Sequence, residues 1–576
     1  MQVGSNVRDT HVNHKRDNMS TESKRRCSFL ILMVAIGLSG HVCSGGNVLL
    51  VPMPFFDSHW FGLAKIGQAL AMKGHVVTVI VPVGIVKKRQ TERPDFHYET
   101  FEDRGTRARL KKVQERYFSV AETMSMNECF IRLSVSCTKD ITKHCDLLLG
   151  DRDLVNRLKA SRYDVVIFDP IFPCGAIVAA ILDHPLIAIL RGDPFFLGHK
   201  ATGVPLPPSY VPHFASDFTD QMAFVQRVQN VLLTTLTPMV TNLLASKTYG
   251  ELVRKCIGEK DTIQSVASRT DLWLHRTDTI LDLPRPSMPN MVQIGGLNVR
   301  AVASLPKELE AFVQKSVDEG VIVVSFGSMY RTMSPEKAEI FASALARLRQ
   351  KVVWRYTGEK PAGLGNNTRL MSWLPQNDLL GHRQTRAFIT HAGYNGLSEA
   401  LYHGVPVVCL PLYGDQPGNA ARAVARGLGV KLDFNTVTAD LLYQAIIQVL
   451  TNNSFHVTAA RLSRLSRDQP QSPMERAAWW IEHVIQHGGL PHLRARAVEL
   501  PWYQYYLLDV VVFLLSVCSA VLGTAWCSCY FMYAQVLRGR RSRNVPFTMF
   551  AHIPGNFAGY YFSYNIYHRK RYLRLI

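Results

Sequence analysis

Short apolar runs alternate with helix-like stretches along the chain, a pattern that predicts an α/β fold with parallel sheets. Residues 48–51, 76–81 and Val165–Phe168 are dominated by Val, Leu and Ile, as is typical of strands buried on both faces. Apolar residues at helical spacing between the first two runs complete a βαβ unit. A second series begins at Val321–Ser325 and continues at residues 352–356. The chain is therefore expected to contain two such series.

The most informative stretch, residues 373–416, contains a strand-turn-helix unit in its middle. Residues 387–390 form an apolar run, a turn follows at residues 391–393, and residues 395–403 carry helix formers up to Gly404. A helix that starts directly after a glycine-containing turn directs its unpaired N–H groups and its positive dipole end at one spot. Such a spot suits a diphosphate, although most turns of this kind are ordinary βα connections.

Side chains on both sides of this unit supply the other groups that a nucleotide-sugar site needs. Trp373 offers a flat face for a base, Glu399 can accept hydrogen bonds from ribose hydroxyls, and Asp415 with Gln416 can hold sugar hydroxyls. In open parallel sheets the ligand lies beyond the carboxyl ends of the strands, where these residues are expected. The combination indicates a site for a nucleoside diphosphate sugar.

The motifs WLPQNDLL at residues 373–380, FITHAGYNG at 388–396 and YGDQ at 413–416 resemble the signature of the UDP-glycosyltransferases. They resemble more closely the membrane-bound UDP-glucuronosyltransferases of animals, over nearly the whole chain. The resemblance implies an α/β fold of GT-B type, in which two Rossmann-like domains face each other and a C-terminal transmembrane helix follows. The acceptor would bind the first domain and the UDP-sugar the second. The donor-binding residues that it implies are Ser328, Trp373, Gln376, His391, Gly393, Asn395, Gly396, Glu399, Asp415 and Gln416.

Two further segments resemble the parts of the family that carry out the chemistry. FDSHW at residues 56–60 resembles the segment that bears the catalytic base, here His59. Without the resemblance, a histidine at a helix start would be read as a cap or a solvated residue. DVVIFDPIFPC at residues 164–174 resembles the stretch whose acid pairs with that histidine, here Asp169. Arg276 stands where the glucuronosyltransferases have a basic residue thought to meet the sugar carboxylate, and a surface arginine is the alternative.

The two ends of the chain account for much of its net charge of +20. Eight Lys and Arg and no acid follow Val536, and residues 1–26 carry six Lys and Arg against three acids. We interpret these as membrane-topology charges and exclude a nucleic-acid partner, because the long middle of the chain shows no basic stripe.

Both ends also carry membrane-targeting features. A basic segment, an apolar run at residues 29–38 and small residues at 42–44 follow the order of a signal peptide. Residues 510–536 contain no charged residue and are followed by arginines, which predicts a transmembrane helix with a cytosolic carboxyl end. The segment that follows this helix, residues 537–576, differs from the usual carboxyl-terminal tail of the family. It can insert into the membrane, bind a partner or lie on the membrane surface. The predicted domains are a leader (1–44), an acceptor domain (45–295), a UDP-sugar domain with return helices (296–500), a transmembrane helix (507–536) and a basic cytosolic tail (537–576).

The spacing of cysteines and acids does not indicate a metal site. Cys129, Cys137 and Cys145 recur every eight residues, which is compatible either with a disulfide or with buried thiols. Asp151 and Asp153 form a DxD pair, which holds a metal in other glycosyltransferases, but here the pair opens a helical segment, where acids complement the dipole. No metal or bound cofactor is therefore expected.

These features predict a type I membrane glycosyltransferase of the endoplasmic reticulum with luminal catalytic domains. We expect it to transfer glucuronic acid from UDP-glucuronic acid to a small lipophilic hydroxyl compound in one inverting displacement. A UDP-glucosyl- or galactosyltransferase and a catalytically inactive binding homologue are the alternatives. A dinucleotide oxidoreductase is disfavoured because no GxGxxG follows the first strand. A homo-oligomer is compatible with the sequence.

Overall fold

The computed structural model describes residues 45–542, except residues 56, 124–125, 191–200 and 317. The segment expected to be a signal peptide and the tail beyond Ser542 lie outside the described residues. The chain forms two compact units that divide between Glu499 and Leu500. Unit 1, which ends at Glu499, contains both sheets and all predicted site residues.

The first sheet of unit 1 has seven parallel strands in the order β3-β2-β1-β4-β5-β6-β7. They are β1 (Asn47–Val51), β2 (Val76–Pro82), β3 (His97–Phe101), β4 (Val165–Phe168), β5 (Leu186–Leu190), β6 (Leu272–His275) and β7 (Met291–Gln293). Its helices are α1 (Asp57–Met72), α2 (Val86–Glu92), α3 (Thr106–Thr123), α4 (Met126–Gly150), α5 (Arg152–Ala160), α6 (Cys174–Leu182), α7 (Phe224–Cys256) and α8 (Ile263–Ala267). The central strands β1, β4 and β5 are buried along their whole length except at Asn47, which agrees with their apolar sequence.

The second sheet has six parallel strands in the order β10-β9-β8-β11-β12-β13. They are β8 (Val321–Ser325), β9 (Lys351–Arg355), β10 (Thr368–Met371), β11 (Thr385–Thr390), β12 (Val407–Cys409) and β13 (Gly429–Lys431). The accompanying helices are α9 (Lys307–Gln314), α10 (Pro335–Ala346), α11 (Gln376–Leu380), α12 (Tyr394–His403), α13 (Gln416–Ala425), α14 (Ala439–Thr451), α15 (Asn453–Arg467) and α16 (Pro473–His487). Helix α16 buries Ala477, Ile481 and Val484 in the core of the first half, against α1.

Both sheets reverse their strand order at one internal pair of strands, β1/β4 in the first and β8/β11 in the second. At such a switch point the loops that follow the two strands diverge and leave a crevice. The loops after these four strands all contribute residues to one cavity between the halves. Two Rossmann-like halves around a shared cleft confirm the predicted GT-B fold class.

The structure adds three features of the first half that the sequence did not settle. β3 is an edge strand of mixed polarity that the apolar pattern missed. Cys145 forms a disulfide with Cys174, at the start of α6, and not with a cysteine of the eight-residue spacing. The Asp151 side chain accepts a hydrogen bond from the backbone N–H of Leu154 at 2.9 Å, as a helix cap does.

Unit 2 contains α17 (Trp502–Tyr505) and α18 (Leu508–Ser542). Within α18, the 32 residues Leu508–Gly539 are long and apolar enough to cross a membrane, with a mean hydropathy of 2.2 over the most apolar window. The helix begins one residue later than predicted and continues beyond residue 536 through the first arginines.

Candidate active site

Two polar side chains meet at the switch point of the first sheet. His59 lies in the first turn of α1, which follows β1, and Asp169 comes directly after β4. Because β1 and β4 are paired with Val51 opposite Phe168, the two side chains reach each other, and Nδ1 of His59 is hydrogen-bonded to Oδ2 of Asp169. The other oxygen of Asp169 accepts the backbone N–H of Ile171 at 3.0 Å, which fixes the carboxylate. A carboxylate on Nδ1 selects the tautomer whose Nε2 can accept a proton.

His59 and Asp169 line a cavity of about 820 Å³ between the halves, a size in the range of small-molecule sites. Every donor-binding residue that the sequence predicted also lines it, with one exception. The predicted residues that line it are Ser328, Trp373, Gln376, His391, Gly393, Asn395, Gly396, Glu399, Asp415 and Gln416.

The turn between β11 and α12 is built around the ring of His391. Gly327, at φ +76°, has no Cβ, and a Cβ there would lie 2.7 Å from Cε1 of His391. A Cβ at Gly393 would overlap the same ring. Ala392 holds a left-handed φ of +61°, a strained conformation for a residue with a side chain. The two glycines therefore let an imidazole lie directly at the amino end of α12, where the helix presents its unpaired N–H groups.

Trp373 is 58% exposed in the cleft, and one of its faces is backed by protein. The guanidinium of Arg355, the last residue of β9, lies 4.5 Å from the Trp373 ring centroid. Arg355 also donates to the backbone oxygen of Gly327 at 2.6 Å, so it ties the indole to the glycine turn. Phe61 of α1 meets the Trp373 ring edge-on, with centroids 6.5 Å apart. The sequence analysis missed Arg355, although its place at the carboxyl end of a predicted strand was a usable signal.

Glu399 and Gln376 form the next part of the cavity wall. Nε2 of Gln376 donates to Oε2 of Glu399 at 2.5 Å. Burial raises the pKa of Glu399 to about 7, although the Gln376 amide and the positive charge of Arg300 both favour the ionised form. The carboxyl group is therefore balanced between its two protonation states near neutral pH.

Asp415 and Gln416 lie at the start of α13, and both are held by local hydrogen bonds. Oε1 of Gln416 accepts the backbone N–H groups of Leu412 and Tyr413 at 2.8 and 3.2 Å. The side-chain amide of Asn419, one turn along α13, donates to Asp415 at 2.8 Å and to the backbone oxygen of Ala392 at 3.0 Å. Asn419 thus joins the Asp415 end of the cavity to the strained His391 turn, a link that its i+4 spacing from Asp415 could have suggested.

Arg276 is the exception among the predicted donor residues. It follows β6, is only 3% exposed, and is not among the described residues that line the cavity. Nη2 of Arg276 donates at 2.5 Å to the side-chain oxygen of Asn395, which does line the cavity, in the first turn of α12. The guanidinium occupies the space beside Gly62, where a Cβ would lie 2.5 Å from Nη1. Arg276 therefore connects the first half to the helix end that faces the donor side.

The first half lines the cavity with two groups of side chains. Polar and charged ones lie on and beside α1, namely Ser58, Lys65, Gln68, Glu92 and Arg93. A mostly apolar group comes from the elements that follow α3: Thr138, Ile141, Ile171, Pro173, Leu190, Phe214, Thr241, Leu244, Ala245, Tyr249 and Ile263. Of residues 205–229, only Phe214 is among the described lining residues. Helix α7, which the sequence analysis did not assign, supplies four of these eleven residues, more than any other element. An apolar wall beside a candidate base suits an uncharged lipophilic substrate.

Comparisons with known proteins identify the family of the chain. A sequence model of the family described as "UDP-glucoronosyl and UDP-glucosyl transferase" matches residues 46–543. UDP-glucuronosyltransferase 2C1 of Oryctolagus cuniculus is 40% identical over 497 residues, which are 84% of this chain and 98% of that protein. UDP-glucuronosyltransferase 2A1 of Mus musculus is 39% identical over 521 residues, 88% of this chain and 97% of that protein.

Solved structures support the fold. A UDP-glucosyltransferase from Polygonum tinctorium matches with a TM-score of 0.53 at 17% identity, covering 77% of this chain and 99% of that one. The glycotransferase of kitacinnamycin matches with a TM-score of 0.52 at 20% identity, covering 76% and 99%. The protein is a UDP-glycosyltransferase enzyme of GT-B fold, and the chain belongs to the UDP-glucuronosyl and UDP-glucosyl transferase family.

Proposed function

We propose that this enzyme transfers glucuronic acid from UDP-glucuronic acid to the hydroxyl group of a small lipophilic acceptor. The observation that carries the proposal is the arrangement of the cavity. The His59–Asp169 pair and an apolar wall lie in the same cavity as the amino end of α12 and the exposed face of Trp373. The similarity to UDP-glucuronosyltransferases at about 40% identity favours glucuronic acid as the donor sugar.

In the proposed mechanism, Nε2 of His59 takes the hydroxyl proton of the acceptor as its oxygen attacks C1 of the sugar. Asp169 orients the imidazole and stabilises the positive charge that it gains, as in a catalytic triad. The bond between C1 and the β-phosphate oxygen breaks, and UDP leaves with the electron pair from the face opposite the attack, so the configuration at C1 inverts. The N–H groups at the start of α12, with His391 and Ser328, stabilise the charge on the leaving UDP.

The direct test is an assay of membranes that contain the full chain, with radiolabelled UDP-glucuronic acid, UDP-glucose and UDP-galactose and a panel of phenols. We expect glucuronide formation to exceed the other two products. A preference for UDP-glucose or UDP-galactose would overturn the donor assignment and leave the family intact. Absence of transfer from all three donors would favour the inactive binding homologue.

Arg276→Leu tests which residue recognises the donor carboxylate. Arg276 can leave Asn395 and bind the donor carboxylate instead. In that case the variant should lower the affinity for UDP-glucuronic acid by about one to two decades, which is the contribution of a charge-assisted hydrogen bond. The affinity for UDP-glucose should not change. The measurement is KM for both donors. Asp415→Ala is the control. It should weaken the binding of both donors, because both sugars carry hydroxyl groups that Asp415 can hold. Equal losses with Arg276→Leu would instead assign Arg276 to positioning Asn395.

The raised pKa of Glu399 predicts that donor binding depends on pH. Only the ionised carboxylate is a charged acceptor for ribose hydroxyls, so affinity for UDP should rise as the pH increases through about 7. We expect a gain of several-fold between about pH 6.5 and 8, measured by calorimetry with UDP. Glu399→Gln, which resembles the protonated form, should bind weakly and without this pH dependence. An equal pH profile in that variant would exclude Glu399 as the titrating group.

For the location of the enzyme, we infer a type I arrangement in the endoplasmic reticulum membrane, with unit 1 in the lumen. The support is the apolar helix Leu508–Gly539, the arginines that follow it and the leader predicted from residues 1–44. In sealed microsomes, protease should remove an epitope placed after Ile576 and spare unit 1. Protection of that epitope would show that the tail re-enters or crosses the membrane.

A further inference from the structure

Lys65 of α1 is a cation of the cavity wall that the mechanism above does not use. Its side chain is half-buried and lines the cavity from the first half. Burial lowers the pKa of its ammonium group, and the positive charges of Arg300 and Arg93 act in the same direction. A cation in such a place costs free energy unless a hydrogen-bond acceptor compensates it.

The two arginines beside Lys65 already have carboxylate partners. Arg300 pairs with Asp378 at 2.5 Å, and Arg93 pairs with Asp95 at 2.6 Å. Among the residues that the structure describes, none forms a hydrogen bond or an ion pair with Lys65. The three N–H donors of the ammonium group are therefore available to a ligand in the cavity.

The face of α1 that carries Lys65 lies against the nucleotide end of the cavity. Phe61 precedes Lys65 by four residues, which places both on the same side of the helix. Phe61 meets the ring of Trp373 edge-on, with centroids 6.5 Å apart. One helical turn further along, Lys65 is close enough to Glu399 for their charges to interact. Since Trp373 and Glu399 belong to the second half, Lys65 faces them from across the cleft.

We propose that Lys65 donates a hydrogen bond to a ribose hydroxyl of the UDP-sugar and so extends the donor site onto the first half. The inference rests on the proposed function in one respect, the placement of the ribose at Glu399. A hydroxyl group has one hydrogen to donate and two lone pairs that accept. It can therefore donate to the carboxylate of Glu399 and accept from Lys65 at the same time. The bound nucleotide then joins the two halves, and donor affinity depends on a residue of the acceptor half.

The charge of Lys65 also supports the form of Glu399 that accepts this hydrogen bond. Burial raises the pKa of Glu399 to about 7, and the negative charge of Asp378 on α11 acts in the same direction. Arg300, in the loop between β7 and α9, and Lys65 oppose this shift, as does the hydrogen bond from Gln376. Without Lys65 the carboxylate should ionise at a higher pH, so the rise of UDP affinity with pH should move upward.

The test is calorimetry of the full-length enzyme in detergent micelles with UDP, 2′-deoxy-UDP and 3′-deoxy-UDP, at a pH at which Glu399 is ionised. Lys65→Met keeps the aliphatic stem and removes the charge, whereas Lys65→Arg keeps a positive charge and N–H donors. Lys87→Met is the matched control, because Lys87 is an exposed lysine of α2 and is not among the described residues that line the cavity.

In the wild type we expect removal of one ribose hydroxyl to weaken binding by about one to two decades, the contribution of a charge-assisted hydrogen bond. In Lys65→Met, UDP should bind about tenfold more weakly. Removal of the same hydroxyl should then cost several-fold less than in the wild type, because its contact with Lys65 is already absent. Lys65→Arg should restore part of this discrimination, and Lys87→Met should behave as the wild type.

Unchanged discrimination between UDP and both deoxynucleotides in Lys65→Met would overturn the proposal. It would do so even if the pH dependence moved, because Lys65 would then act on Glu399 only through its charge. Equal affinity of the wild type for all three nucleotides is a different failure, since it would show that the ribose does not lie at Glu399 and would remove the proposed donor site as well. The sugar that the enzyme transfers does not affect these outcomes, because UDP carries no sugar at its β-phosphate.

Discussion

His59→Ala should lower the turnover of acceptor by about two to four orders of magnitude, the usual contribution of a general base. The imidazole lines the same cavity as the apolar side chains of the first half and is held on Nδ1 by Asp169, so its loss removes the group that we propose takes the hydroxyl proton. Donor binding should be retained, because the turn at His391, Trp373 and Glu399 belongs to the second half. The measurements are kcat in the membrane assay and the affinity for UDP by calorimetry.

His97→Ala is the matched control for this variant, since His97 is an exposed histidine on the edge strand β3. It should leave both kcat and UDP affinity unchanged. Turnover close to normal in His59→Ala would remove His59 from the chemistry, and a parallel loss of UDP binding would indicate that the substitution disturbs the cleft as a whole.

Asp169→Asn should reduce kcat by a comparable factor, for a different physical reason. An asparagine can still accept the backbone N–H of Ile171 through its oxygen, which leaves its NH₂ group facing Nδ1 of His59. The imidazole then carries its hydrogen on Nε2 and presents a donor to the acceptor hydroxyl where a proton acceptor is needed. The positive charge formed on the ring also loses its carboxylate partner. UDP affinity is expected to be unchanged.

Asp151→Asn provides the control for the removal of one carboxylate, because Asp151 caps α5 and asparagine caps a helix equally well. It should be neutral in kcat and in thermal stability. If Asp169→Asn retained full activity, the pair would be a structural ion pair and the base would need to be sought elsewhere in the cavity.

Much of the architecture follows from local sequence. Val165–Phe168 and Val321–Ser325 coincide with the observed strands, because a run that is apolar on both sides of a strand can only be buried between helices. The helix after the glycine turn begins at Tyr394, one residue earlier than predicted, and ends at His403, before Gly404, which adopts a left-handed φ of +72°. The motifs then suffice to identify the family, since their residue types are those that a nucleotide sugar requires.

Other features depend on tertiary structure, because they arise from pairs of segments that are far apart in the chain. The contact of His59 with Asp169 exists only because β1 pairs with β4, and the enclosure of His391 only because β8 brings Gly327 beside β11. The hydrogen bond from Arg276 to Asn395 likewise depends on the packing of the halves, and the role in donor binding that the resemblance implied for Arg276 stays a prediction. The partner of Cys145 and the contribution of α7 to the cavity wall were likewise decided by packing. Local patterns determine which segments become strands and helices, whereas neighbours across the cleft depend on strand order and on how the two halves close, which no single segment encodes.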